Sequence, residues 1–248
     1  MLNILVPMAG RGSRFSEAGY LNPKPLIDIA GKTMIEIVIK NLQPDTDHRF
    51  IFICQKEHLE KYELEKEFSR SCNDYVVIGI DGITEGAACT VLKAKKYINS
   101  EDQLMIANCD QWIDEDINRY LQEQPLESGG LVMTMKANDP KWSFVSYNHD
   151  KIITRIVEKE VISDEATVGI YNFSSGEDFV LCAEEMIAAN DRVNGEFYVA
   201  PVYNYLIRKG YKVRFYNIGE ERSGMYGLGI PADLDYFLNS NVLSKALS

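Results

Sequence analysis

The chain has 248 residues, with 26 Lys and Arg against 37 Asp and Glu, giving a formal net charge of −11. That length fits one large domain, or one domain with an insertion, able to bury about 70% of its unfolded surface without disulfides or structural metals. The acidic balance excludes a nucleic acid as partner but not a local basic pocket for one phosphate ligand. No apolar run approaches the ~20 residues of a membrane span.

The N-terminus, MLNILVPMAGRGSRF, has no charged leader before its apolar stretch, so no signal peptide is expected. Five scattered cysteines without a CxxC pair fit reduced thiols, and the expected location is the cytoplasm. Three histidines without HxxH or HxxxH spacing give no basis for a histidine-ligated metal.

In chain order, short apolar runs alternate with amphipathic segments. Strands are expected at Asn3–Met8, Arg49–Cys54, Asp74–Ile80 and Gln103–Asn108. Helices are expected at Met34–Leu42, Glu57–Ser69, Ala87–Ile98 and Glu115–Gln124. This alternation predicts right-handed βαβ units and a parallel sheet covered on both faces. Gly129–Lys136 adds another central strand. Three close-set strands follow, Ser143–Tyr147, Ile152–Val157 and Thr167–Phe173, and they read as antiparallel ribbons over one face of the sheet. Helices at Glu177–Ala189 and Val199–Lys209, a strand at Lys212–Asn217 and a closing helix at Pro231–Asn239 complete the chain, with Pro231 suited to a first helical turn. The organisation is a single domain over 1–248, in two halves, 1–136 and 137–248.

The first strand runs into Ala9-Gly10-Arg11-Gly12-Ser13-Arg14-Phe15, where open α/β sheets bind their ligands. Two glycines let the backbone approach a phosphate, and Arg14 adds a planar fork of donors. The loop is neither a Walker loop nor GxGxxG, and alone it reads equally as a tight turn. Ten residues on, Lys24 lies between Pro23 and Pro25, which hold its backbone extended and suit it to meet a phosphate as a point charge; the plain alternative is an exposed Pro-rich turn.

Together these motifs resemble the sugar-phosphate nucleotidylyltransferases, which join an NTP to a sugar 1-phosphate and release pyrophosphate. Those enzymes open with a strand, GxGxR and KP(L), matched here by Gly10, Gly12, Arg14, Lys24 and Pro25. Asn108-Cys109-Asp110 resembles the step whose aspartate holds Mg2+, and Glu158-Lys159 the EK pair at the sugar phosphate. Gly169-Ile170-Tyr171 resembles the segment over the sugar pocket, Gly195–Tyr198 the (G)E(F/L) element, and Gly229–Leu234 the closing GTPEDL turn. The resemblance spans nearly the whole chain. It implies a Rossmann-like three-layer αβα sandwich with a mostly parallel central sheet, like that of nucleotidyltransferases and GT-A enzymes, and a small antiparallel substrate-side insertion.

The resemblance also implies site roles. Arg14, Lys24 and Asp110 would be catalytic, with Mg2+ on Asp110. Met8, Ala9, Gly10, Arg11, Gly12, Ser13, Arg14, Asp81, Glu85, Gly86, Ala87 and Asn108 would bind the nucleotide. Glu158, Lys159, Gly169, Tyr171, Glu196 and Tyr198 would bind the acceptor. There are two departures. Asp81, five residues before Gly86, stands where many relatives carry a base-reading glutamine, and a carboxylate that only accepts favours CTP over UTP or dTTP. Gly227 stands where relatives have a second metal-binding aspartate. Asp110 is therefore expected to be the only carboxylate on the ion, with Asp233 and Asp235 too far along the closing helix and Glu196 left open.

The chemistry of the residues agrees with this. A phosphate monoester is already a dianionic nucleophile at neutral pH, so no triad is required; charge neutralisation and in-line alignment at the α-phosphorus suffice. Plainer readings stand beside the functional ones: Asp110 as the N-cap of a helix after the fourth strand, and Glu158-Lys159 as a solvated turn pair. Cys109 is read as a buried small hydrophobe, and Trp112, Trp142 and the tyrosines as packing and pocket wall. The competing functions are a cytidylyltransferase for a phosphocholine-like, polyol or amino-acid phosphate, a GT-A-type glycosyltransferase, and an idle nucleotide-sugar sensor. Asp110 followed by Gln111 and Trp112 gives no DxD for a glycosyltransferase, and intact Arg14, Lys24 and Asp110 oppose the sensor. The expected product pathway is surface or capsular polysaccharide synthesis, and a homodimer stays open.

Overall fold

The computed structural model describes every residue except Arg11 and Leu126. The strands, in chain order, are β1 (Leu2–Pro7), β2 (Asp28–Ile29), β3 (Lys32–Thr33), β4 (His48–Gln55), β5 (Tyr75–Ile80), β6 (Gln103–Ala107) and β7 (Gln111–Ile113). They continue with β8 (Gly130–Lys136), β9 (Ser143–Tyr147), β10 (Ile153–Glu158), β11 (Glu165–Phe173), β12 (Val213–Glu221) and β13 (Gly224–Gly227). Eleven of these form one sheet, whose main path runs β5-β4-β1-β6-β11-β8-β12-β13-β7. β1 lies parallel between β4 and β6, as the βαβ pattern requires.

Alternate strand residues feed opposite faces. Leu5, Ile51, Ile53 and Ile106 enter one core with Phe179 and Leu206, whereas Ile4, Val6, Phe50 and Phe52 enter another with Ile35, Val38 and Phe68. A sheet buried on both faces gives the expected three-layer αβα sandwich. A third cluster joins Phe15, Ile27 and Met34 to Trp112, Leu228, Leu234 and Phe237, fixing the closing helix against the loop after β1.

Thr167–Phe173 departs from expectation. It belongs to β11, which is buried throughout and inserted antiparallel between β6 and β8. An unbroken apolar strand cannot sit in a ribbon with one wet face, so it takes the central position. Only β9 and β10 form the ribbon, attached to β11 through Phe144 and Ala166. Because β11 lies between β6 and β8, the two halves of the chain interleave in one sheet.

Helix Met34–Leu42 has its expected bounds, set by a capping box in which the Thr33 hydroxyl accepts from the Glu36 amide and the Glu36 carboxylate accepts from the Thr33 amide. The helix expected over Glu57–Ser69 is two, Lys56–Tyr62 and Leu64–Ser71, broken at Glu63 with φ 49°. The break lets Leu64 and Phe68 turn inward, and Phe68 stacks on Phe52 with ring centroids 3.9 Å apart. Ala87–Ile98 is similarly segmented, with a 3-10 turn at Leu92–Ala94. Helix Ile117–Gln122 is shorter than expected because Asp116 caps it, accepting from the Asn118 amide.

The turn before Ala87 is held by backbone: the Phe197 amide donates to Glu85 O at 2.8 Å, and the Ala88 amide to Phe197 O at 3.0 Å. Gly86 sits between them at φ +133°, where an added Cβ would lie 2.5 Å from Phe197 N. Gly86→Ala is expected to destabilise the fold by roughly 1–3 kcal/mol from backbone strain alone, with the clash adding to it. Chemical denaturation measures this, and an unchanged midpoint would contradict it.

Candidate active site

The carboxyl ends of β1 and β6 open into a cavity of about 510 Å3 lined by Gly12, Ser13, Arg14, Lys24, Asn108, Asp110, Gln111, Lys141, Trp142, Lys159, Gly227, Gly229 and Asp233, among others. Its described charged residues are four basic side chains and two carboxylates, a locally basic pocket on an acidic chain. Gly12 takes the left-handed conformation (φ 62°) as N-cap of the short helix Ser13–Glu17, so the loop turns back on itself at the end of β1. The backbone of Lys24 is not extended as its flanking prolines suggest: it opens a 3-10 turn, Lys24–Leu26, and the extended residue is Pro23. The Lys24 ammonium donates to Asp110 Oδ2 at 2.8 Å. Burial, the largest influence, opposes the charge on Lys24. Attraction from Asp110, the hydrogen bond it accepts and the influence of Cys109 together more than offset it, and the ammonium's pKa ends above its ordinary value.

Asp110 does not cap a helix. It precedes β7, and its carbonyl accepts from the Leu228 amide at 2.8 Å, which brings the Gly227–Gly229 segment against it. An added Cβ at Gly229 would stand 2.6 Å from Asp110 Oδ2, so only glycine leaves open the space in front of that carboxylate. A hard oxygen donor facing a cradle that any side chain would fill fits Mg2+. Cys109, beside it, is buried, and burial pushes its thiol up to about 12, so it is an inert packing group.

A second cavity of about 280 Å3 adjoins the first through Asn108, Lys141 and Trp142, which line both. Its walls include Ala87, Ser143, Glu158, Thr167, Gly169, Tyr171 and Tyr198. Glu158 is buried and accepts from the Ser143 hydroxyl; burial raises its pKa against the opposing pull of Ser143 and Lys159. Lys159 is held at φ +58°, with its ammonium 3.7 Å from Glu158 Oε1 and 5.5 Å from the centre of the Tyr198 ring. A left-handed lysine costs conformational energy, and here it aims the chain into the first cavity.

The structure thus brings together Gly12, Ser13, Arg14, Lys24, Asn108, Asp110 and Lys159 at one cavity, and Ala87, Glu158, Gly169, Tyr171 and Tyr198 at its neighbour. Met8 and Ala9 are buried beneath the loop, Gly10 is exposed, and Arg11 lies outside the described residues. Glu196 is exposed, on the turn before Tyr198. Asp81 and Glu85 do not join either group. Both line a separate cavity with Thr84, Cys89 and Ile187, where Asp81 pairs with Lys56 and Glu85 with Arg192. Asp81 is exposed and paired with Lys56, and it lines neither of the two adjoining cavities.

Three residues at the site carry no role in the sequence reading, Gln55, Lys141 and Gln111. Gln55, at the carboxyl end of β4, donates through Nε2 to Ala9 O at 2.6 Å and to Gly82 O at 2.7 Å, tying the phosphate loop to the next turn. Lys141 lies at the junction of the two cavities, with its ammonium 2.8 Å from Glu221 Oε1. Gln111 is 7% exposed and lines the first cavity, and its Nε2 is buried with no hydrogen-bond partner among the described residues. Asp233 also faces this cavity, although it was expected to lie too far along the closing helix. A polar residue ending an apolar strand was a usable signal for Gln55. The others are placed by long-range packing.

Residues 4–197 match the Nucleotidyl transferase family. The chain belongs to that family. The bifunctional protein GlmU of Aquifex aeolicus is 25% identical over 265 residues, covering all of this chain and 54% of the relative. That of Methanocaldococcus jannaschii is 24% identical over 186 residues, covering 66% of this chain and 43% of the relative. The chain therefore spans about half the length of the curated relatives it matches. Among solved structures, a nucleoside-diphosphate-sugar pyrophosphorylase from Vibrio cholerae superposes with TM-score 0.79 at 26% identity, covering 96% of this chain and 100% of the other. The inositol-1-phosphate CTP transferase from T. maritima shares the fold at TM-score 0.74 and 17% identity, covering 99% of this chain and 94% of that one. No helix among the described residues is long and apolar enough to cross a membrane.

The raised pKa of Glu158 gives a pH signature. Its folded form holds a proton to higher pH than the unfolded chain, so its contribution to stability is fully present below the ordinary value of 4.5 and is lost as pH rises through the raised one. Glu158→Gln, which can still accept from Ser143, should melt no lower than the parent at pH 7, and any advantage should vanish on acidification. A variant less stable at pH 7 but equal in acid would show that pairing outweighs burial.

Proposed function

We propose that this chain transfers the nucleotidyl group of an NTP to a sugar 1-phosphate, giving an NDP-sugar and pyrophosphate for surface polysaccharide synthesis. The observation that carries the reading is the pair of adjoining cavities, one basic and bearing Arg14, Lys24 and Asp110, the other with an apolar wall into which Glu158, Thr167, Tyr171 and Tyr198 bring polar groups. The first suits a triphosphate, and the second presents acceptors and donors to sugar hydroxyls.

Arg14 stabilises the triphosphate and the departing pyrophosphate with its fork of donors. Lys24 bridges the α-phosphate and the incoming acceptor phosphate, so that charge repulsion between them falls as they align. Lys159 meets the acceptor phosphate from the other side, and Glu158 accepts from an acceptor hydroxyl. Asp110 would hold Mg2+, which would supply positive charge to the polyphosphate. No general base is needed, because the nucleophile is already a dianion. A second reading, a phosphocholine-like acceptor, is favoured by the carboxylate of Glu158 beside the aromatic rings of Trp142, Tyr171 and Tyr198, a combination that attracts quaternary ammonium groups.

The test supplies Mg2+, each NTP separately, and a panel of sugar 1-phosphates, inositol 1-phosphate and phosphocholine, and detects pyrophosphate. Silence across the panel would refute the reading. Arg14→Ala and Lys24→Ala should each lower turnover by ~10²–10³, the scale for removing one preorganised charge-stabilising donor. Near-normal turnover in both variants would place the triphosphate elsewhere.

A further inference from the structure

We propose that Asn204 is a positioning residue for the acceptor, its side-chain amide holding the edge of β10 and with it the aim of Glu158 and Lys159; this rests on the nucleotidyl-transfer reading above. Groups that wall the second cavity ride on the β9–β10 ribbon. Ser143 opens β9, Glu158 ends β10, and Trp142 and Lys159 flank them, with the Lys159 amide donating to Trp142 O at 3.0 Å. β-Pairing joins this ribbon to the rest of the sheet at Phe144–Ala166 and, just before β10, at Ile152–Arg214. The first acts on β9 and the second on the start of β10. The outer edge of β10 near Glu158 has no strand beside it among the described residues.

Asn204 takes that place. It lies on helix Val202–Arg208, whose Val202, Tyr203, Tyr205 and Leu206 are buried in the first core, so its backbone is fixed to the body of the domain. Its Oδ1 accepts from the Ile156 amide at 2.8 Å, and its Nδ2 donates to the Ile156 carbonyl at 2.8 Å. A carboxamide offers one acceptor and one donor side by side, and so matches the N–H and C=O of a strand residue as a neighbouring strand would. The contact falls after the register shift at Ile153–Arg155, where the strand bends, and two residues before Glu158. Residues two apart on a strand share a face, so fixing Ile156 sets how far Glu158 enters the cavity, and Lys159 follows directly. Beside the contact, the Thr154–Glu158 edge opens on a cavity of about 360 Å3. Water entering there can satisfy Ile156 when the carboxamide is removed, so variants at 204 are expected to fold.

The experiment reads hydrogen–deuterium exchange and steady-state kinetics on the same variants. Asn204→Ala should speed amide exchange across Ile153–Glu158 by about tenfold or more, with exchange in β6 at the parent rate. KM for the sugar 1-phosphate should rise about tenfold to a hundredfold, the scale of misplacing a positioned group by about an ångström, while KM for the NTP stays unchanged. Asn204→Asp, close in shape, still accepts from the Ile156 amide but opposes its carbonyl, and should move the acceptor KM in the same direction. Ile207→Ala removes packing from the same helix and leaves the carboxamide in place. It should lower the melting temperature with the acceptor KM at the parent value, which separates aim from stability. Parent-like exchange in β10 of Asn204→Ala, or faster exchange with a parent-like acceptor KM, would overturn the assignment, as would an equal rise in both KM values. If the parent transferred no nucleotidyl group to any acceptor, the transfer reading itself would fall, and the positioning role with it, even with the exchange difference intact.

Discussion

The ion pair between Lys24 and Asp110 joins the two parts of the chain on which everything else at the site depends. Eighty-six residues separate them, one on the turn after the glycine loop and the other just past β6, yet their charged atoms lie 2.8 Å apart. Both side chains keep about a quarter of their surface exposed, so the pair adds little to net stability after desolvation and screening. What it provides is charge balance. On the function proposed above, the Lys24 ammonium would pass to a phosphate oxygen and the Asp110 carboxylate to a metal ion.

The sheet explains why the second cavity lies next to this pair. With β11 inverted between β6 and β8, its Gly169–Tyr171 stretch runs past the carboxyl end of β6, and Asn108 N donates to Gly169 O at 3.1 Å. The ribbon β9–β10 then folds over that end, bringing Trp142, Ser143, Glu158 and Lys159 to the same opening. The two cavities open beside one continuous sheet, and Lys141 stands where they meet.

Much of this was legible because it is local. The capping residues Thr33 and Glu36 and an apolar face fix Met34–Leu42, and the glycine loop, Lys24, Asp110 and the Glu158-Lys159 step sit where their motifs placed them. What failed was non-local. The run Thr167–Phe173 marks a strand but not its neighbours, so its insertion into the sheet was hidden. Asp81 was aligned by counting back from Gly86, and nothing in the count reveals that Lys56 captures it. Asp233 was dismissed because it lies six residues beyond Gly227, although a helix start after Pro231 returns the chain to within 3.3 Å of that position.

A crystal structure with Mg2+ and a non-hydrolysable NTP tests the central claim most directly. The account predicts the triphosphate over Gly12 and Ser13, the metal ion on the Asp110 carboxylate, and the Lys24 ammonium moved from Asp110 onto a phosphate oxygen. A nucleotide bound elsewhere, with the Lys24–Asp110 contact still intact, would contradict it.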